Sequence, residues 1–162
     1  VEGAAIIAGQ SPEAASDLAK GLSPIGVIFQ IQDDILDLYG DNGRDMPGSD
    51  LQQEGKASAL VIEHLRLFPN ESEWLLKVLF ATREDTSAED IRRIIQCFSE
   101  QGTLAAVWER IDELTAEVEN NQALAKVPAL RILALAFIAK ALEPVRHTRP
   151  SSTPYLAYAS NG

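Results

Sequence analysis

Cysteine and histidine are scarce in this sequence, and their scarcity removes several kinds of site. The 162 residues include one cysteine, Cys97, so no intramolecular disulfide can form. Because Cys97 falls in a helical pattern, it is interpreted as a small core residue. The two histidines, His64 and His147, are not at metal-ligand spacing. His64 is therefore interpreted as a structural residue, and His147 as a solvent-exposed one.

Positively charged residues are also fewer than negatively charged ones. The sequence has 14 Lys and Arg residues against 24 Asp and Glu residues, which gives a formal net charge of -10 and an isoelectric point near 4.6. No basic face offsets this charge, so nucleic acid is not an expected partner. No apolar run approaches the length of a membrane span, and no signal peptide is recognisable. We therefore expect no stable membrane insertion and a cytoplasmic location.

The alternating pattern of a β-strand is missing, whereas apolar residues recur at helical spacing along the chain. Together with a hydrophobic content of 46%, this pattern predicts an all-α fold with a substantial core. Gly21 and Pro24 are expected to kink or interrupt the first long helical pattern. Asn70 is expected to cap one later helix, and Thr86 or Ser87 another. The expected helices cover residues 12–20, 25–38, 57–67, 71–81, 88–100, 103–126 and 128–142.

One apolar segment, residues 25–38, contains three aspartates. On a helix, Gln30, Asp33, Asp34 and Asp37 fall at i, i+3, i+4 and i+7, which places them on one stripe. Burying carboxylates is costly unless cations pair with them. We therefore expect the stripe to line a water-filled cavity and to bind a divalent metal. Magnesium fits best, because it prefers oxygen ligands, retains waters and is commonly shared with substrate phosphates.

The segment after the aspartates is a loop interrupted by glycine and proline, which disfavour a continuous helix. It carries two cations, Arg44 and Lys56, that can neutralise phosphate oxygens, and a further acid, Asp50, that can join the metal ligands. Together these residues suggest a diphosphate site. A calcium-binding EF-hand is excluded, because Met46 occupies the sixth loop position, which requires glycine, and Gln52 the twelfth, which requires glutamate.

The order FQIQDDILD, Gly-Arg, GSD and EGK resembles the second aspartate-rich region of the trans-isoprenyl diphosphate synthases, the polyprenyl synthetase family. This family includes the farnesyl and geranylgeranyl diphosphate synthases. The resemblance implies a magnesium-dependent prenyltransferase that condenses isopentenyl diphosphate with an allylic diphosphate. It also implies an isoprenoid-synthase helical bundle and a homodimer of the full-length enzyme. A short-chain product, farnesyl or geranylgeranyl diphosphate, is expected from the general resemblance.

The resemblance also assigns roles to individual residues. The loop is one residue longer than the commonest pattern both between Arg44 and Asp50 and between Asp50 and Lys56, which leaves the roles of Arg44 and Lys56 open. Asp33 would bind the metal directly, Asp34 and Asp37 would bind it directly or through water, and Asp50 would support the metal shell. Gln30 would face the substrate cavity, with Phe29 packing nearby. Lys56 would bind the diphosphate, and Arg44 stands where many members have lysine.

The family's first DDxxD motif, its nearby arginines and its Lys-Thr pair do not occur in this sequence, which opens on Val1 without a methionine. We therefore expect residues 1–146 to be the C-terminal half of the helical domain of a longer enzyme, inactive alone, and residues 147–162 to be a disordered tail. Three alternatives stay open. They are a non-catalytic subunit that binds isoprenoid diphosphates or regulates a partner, the prenyltransferase part of a fused terpene synthase, and an acidic helical interaction module without a ligand.

Overall fold

The computed structural model describes residues 1–40, 58–81 and 86–151. All regular secondary structure in these ranges is helical, which confirms the all-α fold. Among the same residues, no helix combines the length and the apolarity needed to cross a bilayer. The α-helices are α1 Glu2–Ile7, α2 Pro12–Tyr39, α3 Ala59–Leu67, α4 Ser72–Leu79, α5 Ala88–Glu100, α6 Thr103–Glu119, α7 Gln122–Ala125 and α8 Pro128–Leu142, and two 3-10 helices cover Pro69–Glu71 and Glu143–Thr148.

The chain divides into two compact units. The first comprises residues 1–33 and 109–144, and the second comprises residues 34–108 and 145–162, so that α2 and α6 contribute residues to both. Each unit contains buried apolar side chains at helical spacing. They include Leu18, Ile28, Leu114, Val118 and Ile138 in the first unit, and Leu60, Leu75, Ile94, Phe98 and Trp108 in the second.

Helix α2 continues without a break through Pro24, so the interruption expected at Gly21 and Pro24 is wrong. Its start is as expected, because the Ser11 side chain accepts a hydrogen bond from the Ala14 amide at 3.2 Å. Pro24 has no amide proton to donate to the carbonyl of Lys20, four residues earlier. The Ser23 hydroxyl donates to that carbonyl instead, at 2.8 Å. The carbonyl therefore keeps a partner, which helps the helix to tolerate its proline.

Gly21 makes a close packing contact that the sequence did not predict. A Cβ atom at this position would lie 2.6 Å from Oδ1 of Asn121. That oxygen is already committed, since it accepts hydrogen bonds from the amides of Ala123 and Leu124 at 3.0 and 3.1 Å and so caps α7. The Asn121 cap also explains why the single helix expected over 103–126 is wrong, because α6 ends at Glu119 and α7 begins separately after Asn121.

The remaining helix boundaries follow the sequence more closely. Ser87 caps α5 in a reciprocal arrangement with Asp90, and α8 begins at Pro128, both as expected. The cap expected at Asn70 is wrong, because Asn70 lies inside a 3-10 helix and α4 begins after it. Helix α3 begins two residues later than expected, with Ser58 as its cap.

The second 3-10 helix follows α8 and includes His147, which is exposed as expected. The Trp108 indole N–H donates to the Thr148 hydroxyl at 3.3 Å, and the guanidinium of Arg149 lies 5.2 Å from the centre of the same indole. Most of the tail expected over residues 147–162 lies outside the described residues, which end at 151.

His64 lies in the core of the second unit and is fully buried, in agreement with a structural role. Its Nδ1 is 2.8 Å from the hydroxyl oxygen of Thr103, and its ring contacts Phe68 and Phe98. Its Nε2 lies 3.5 Å from Oε2 of Glu71 without forming a hydrogen bond. Burial disfavours the imidazolium more than Glu71 stabilises it, so the pKa of His64 is lowered.

The electrostatic surroundings of Glu71 extend to the neighbouring helices. Oε2 of Glu71 accepts a hydrogen bond from the Trp74 indole at 3.1 Å, and the guanidinium of Arg93 lies 4.5 Å from the centre of that indole. Cys97 is half-buried on the same helix as Arg93, and burial raises the pKa of its thiol. Oε2 of Glu71 thus lies close to both the Trp74 indole and the His64 imidazole.

We predict different responses to alanine at two glycines of α2. Nothing lies within 4 Å of a Cβ at Gly26, so Gly26→Ala should raise the free energy of unfolding by about 0.5–1 kcal/mol through helix propensity. Gly21→Ala carries the same gain, but it displaces the Asn121 cap, which is worth about 1 kcal/mol. Chemical denaturation should therefore rank Gly26→Ala above Gly21→Ala. Equal stabilisation by both substitutions would contradict the close approach to Asn121.

We also predict a pH dependence that comes from His64. Because its pKa is lowered in the folded state, the unfolded chain binds the proton first as the pH falls. The free energy of unfolding should therefore decrease from about pH 6.5 downward, by about 1.4 kcal/mol for each unit of pKa lowering. Denaturation between pH 7.5 and 5.5 should show a smaller decrease in His64→Gln. His147→Gln is the matched control and should follow the wild type; identical slopes in all three proteins would refute the assignment.

Candidate functional site

The aspartate segment is helical, as expected, and forms the C-terminal part of α2. Its apolar side chains at Ile28, Ile31 and Ile35 are buried, and this packing fixes the rotation of the helix about its axis. The polar residues 30, 33, 34 and 37 follow a gradient of exposure along the helix. Gln30 and Asp33 are exposed, whereas Asp34 and Asp37 are only 8% and 6% exposed.

Asp34 makes a contact that the sequence did not predict. Its Oδ2 accepts a hydrogen bond from the backbone amide of Ala59, the first residue of α3, at 2.7 Å. The amide groups at the start of a helix lack intrahelical acceptors and carry partial positive charge, so a carboxylate is a favourable partner there. Ser58 caps the same helix by accepting from the Val61 amide at 3.3 Å. Asp34 is thereby tied to the start of α3 within the second unit.

Asp33 and Asp37 are separated by one helical turn, so their side chains project from the same side of α2. Carboxylate pairs of this kind suit magnesium, which is commonly bound by one or two carboxylates together with waters and substrate phosphates. Among the described residues, no group of three or more His, Cys, Asp or Glu side chains could hold a metal ion. In this described part of the chain, Asp33 and Asp37 are therefore a pair of candidate ligands and not a complete metal site.

An apolar surface accompanies Asp33 in the first unit. The ring of Phe29, one turn before Asp33, lies 5.1 Å from the ring of Phe137 on α8, centre to centre. Both rings are partly open to solvent, Phe29 by 37% and Phe137 by 51%. Leu133, one turn before Phe137, is exposed as well. The first unit thus places exposed aromatic surface and the exposed carboxylate of Asp33 on neighbouring turns of one helix.

Sequence reasoning identified Phe29 but missed Phe137 and Ala59. The signal for Phe137 was present, because α8 has apolar residues on all sides and no polar stripe facing solvent. No signal in the sequence could have identified Ala59, since its contribution is a backbone amide. The three remaining site residues expected from the loop, Arg44, Asp50 and Lys56, lie outside the described residues.

The end of α2 is held by Tyr39 in the second unit. The Tyr39 hydroxyl donates to the carbonyl of Ile95 at 3.2 Å and lies at the same distance from the hydroxyl of Ser99. Burial raises the pKa of Tyr39, so the phenol stays protonated and available as a donor at neutral pH. The last turn of α2, two residues after Asp37, is therefore anchored to α5.

One of three comparisons with known proteins returned a match. The model of the polyprenyl synthetase family matches residues 1–98, which is more than half of the 162 residues. The matched part contains all of α2 with its aspartates. The chain therefore belongs to the polyprenyl synthetase family. A search of curated proteins and a search of solved structures each returned no match.

Proposed function

We propose that the chain provides the allylic-diphosphate side of a magnesium-dependent prenyltransferase. The observation that carries the proposal is the placement of an exposed carboxylate, Asp33, one turn from the exposed aromatic pair Phe29 and Phe137 in the first unit. An allylic diphosphate has the same two-part character, with a polyanionic head and a hydrocarbon tail. Membership of the polyprenyl synthetase family supports this substrate class.

In the proposed reaction, the C–O bond between the allylic carbon and the diphosphate breaks, and diphosphate leaves. The double bond of isopentenyl diphosphate forms the new C–C bond, and a proton is lost from the adduct. Bound magnesium would offset the negative charge that builds up on the departing diphosphate. Asp33 and Asp37 would hold this ion, joined by Asp50. Gln30 would face the substrate, and Arg44 and Lys56 would bind the phosphate oxygens.

The proposal places this chain opposite a second set of metal ligands. The sequence contains a single DDxxD motif, and one such motif supplies too few carboxylates for a cluster of magnesium ions around a diphosphate. We infer that the remaining ligands belong to a complementary part of a farnesyl or geranylgeranyl diphosphate synthase, active as a cytoplasmic homodimer. Residues 1–146 would then be the C-terminal part of its catalytic domain.

The first prediction from this proposal concerns linked binding of metal and diphosphate. The local charge on α2 is negative, so pyrophosphate alone should bind weakly and should raise the melting temperature only when magnesium is present. In the double variant Asp33→Asn/Asp37→Asn this joint shift should fall by at least half, because neutral amides replace the two carboxylates proposed to bind the ion. Differential scanning fluorimetry with magnesium alone, pyrophosphate alone and both together measures the effect.

Asp17→Asn is the matched control, because Asp17 is an exposed aspartate on the same helix that pairs only loosely with Lys20, at 3.8 Å. It should keep the full joint shift. A shift of equal size in the double variant would place the binding away from the aspartates, and the proposed function would lose its main support.

The second prediction concerns the hydrocarbon tail. Phe137→Ala removes half of the aromatic pair, so with magnesium present it should weaken binding of an allylic diphosphate by about 5- to 20-fold, the equivalent of about 1–2 kcal/mol. Binding of pyrophosphate, which has no tail, should stay within about twofold. Isothermal titration calorimetry with both ligands gives the comparison. Phe80→Ala, which changes a phenylalanine 77% exposed on the surface after α4, should leave both affinities unchanged; equal losses for the two ligands would argue against an apolar tail site.

A further inference from the structure

Asp34 differs from its neighbour Asp33 in both burial and partner. Asp33 is exposed, whereas Asp34 is 8% exposed and accepts a hydrogen bond from the Ala59 amide. We propose that Asp34 acts as a positioning residue, which holds the start of α3 to α2, and that it does not coordinate magnesium itself.

The geometry of the contact with Ala59 favours a structural role for the Asp34 carboxylate. The distance of 2.7 Å from Oδ2 to the amide nitrogen lies at the short end for N–H to oxygen bonds and is typical of charge-assisted ones. The acceptor carries a full negative charge, and the donor belongs to the positive end of a nine-residue helix. A rotation of the carboxylate that carried Oδ2 away would leave this amide without its acceptor in a part-buried position.

The helical register directs Asp34 away from Asp33. Consecutive residues of an α-helix project about 100° apart, so Asp33 and Asp34 diverge, whereas Asp33 and Asp37 share one row. Asp34 lies instead in the row of Gln30, one turn earlier. Asp33 and Asp34 therefore face different surroundings, although they are adjacent in the sequence.

The attachment has a consequence for the diphosphate site, and this step rests on the proposed function. Ala59 follows Lys56 by three residues in the sequence, and Lys56 is the cation proposed to bind the diphosphate. Lys56 is therefore joined to the Ala59 backbone by only a short stretch of chain. Asp34 would influence diphosphate binding through this backbone rather than through the metal ion.

The decisive variant is Ala59→Pro, which deletes the amide proton and leaves every carboxylate in place. Proline is well accepted at the first position of a helix, and Ser58 before it has φ −66° and ψ 160°, a conformation that suits the residue preceding proline. With magnesium present, Ala59→Pro and Asp34→Ala should each weaken pyrophosphate binding by about tenfold, and the double variant should lose little more. Asp34→Asn retains an acceptor oxygen, so its affinity should stay within about threefold of the wild type.

Amide hydrogen exchange provides a readout that does not depend on ligand. The Ala59 amide should exchange about tenfold faster in Asp34→Ala, close to the wild-type rate in Asp34→Asn, and at the wild-type rate in Asp33→Ala. Unchanged exchange in Asp34→Ala would overturn the proposal. Wild-type binding by Ala59→Pro together with lost binding in Asp34→Asn would also overturn it, and would make Asp34 a metal ligand. If the wild type binds no magnesium and pyrophosphate at all, the proposed function fails, and the exchange rates alone still decide the role of Asp34.

Discussion

The cost of removing carboxylates from water governs the arrangement around α2. A buried carboxylate must be matched by hydrogen-bond donors or cations, because desolvation of an unmatched charge costs several kcal/mol. Helix α2 buries two of its three motif aspartates, Asp34 and Asp37, while its isoleucines pack into the core. For Asp34 the match includes the Ala59 amide, so the start of α3 is positioned by the electrostatic needs of α2. The polar and apolar faces of one helix thereby specify where another helix begins.

Family membership and helical content were predictable from the sequence because both depend on local patterns. The spacing of residues 30, 33, 34 and 37 needs only the helical period, and the start of α8 at Pro128 needs only the conformational preference of proline. The cap at Ser87 follows from the preference of such positions for hydroxyl side chains, and the structure adds its exchange of hydrogen bonds with Asp90.

Two of the errors arose where one side chain altered the behaviour expected of another residue. Pro24 alone predicts a break in α2, but the adjacent Ser23 supplies the missing partner of the Lys20 carbonyl. Asn121 divides the expected 103–126 helix by capping α7, and this cap depends on the absence of a side chain at Gly21, a hundred residues earlier in the sequence. A contact between residues so far apart in the sequence follows no helical period, so no short sequence window could have predicted it.

The relation between Ser23 and Pro24 bears on how this helix can change during evolution. Alanine at position 23 would leave the Lys20 carbonyl without the hydroxyl donor while the proline still withheld its own. The same alanine beside a residue that has an amide proton would cost little, because the ordinary helical bond would satisfy the carbonyl. Substitutions at the two positions should therefore be interdependent: loss of the serine should cost more while the proline is present than after it has been replaced.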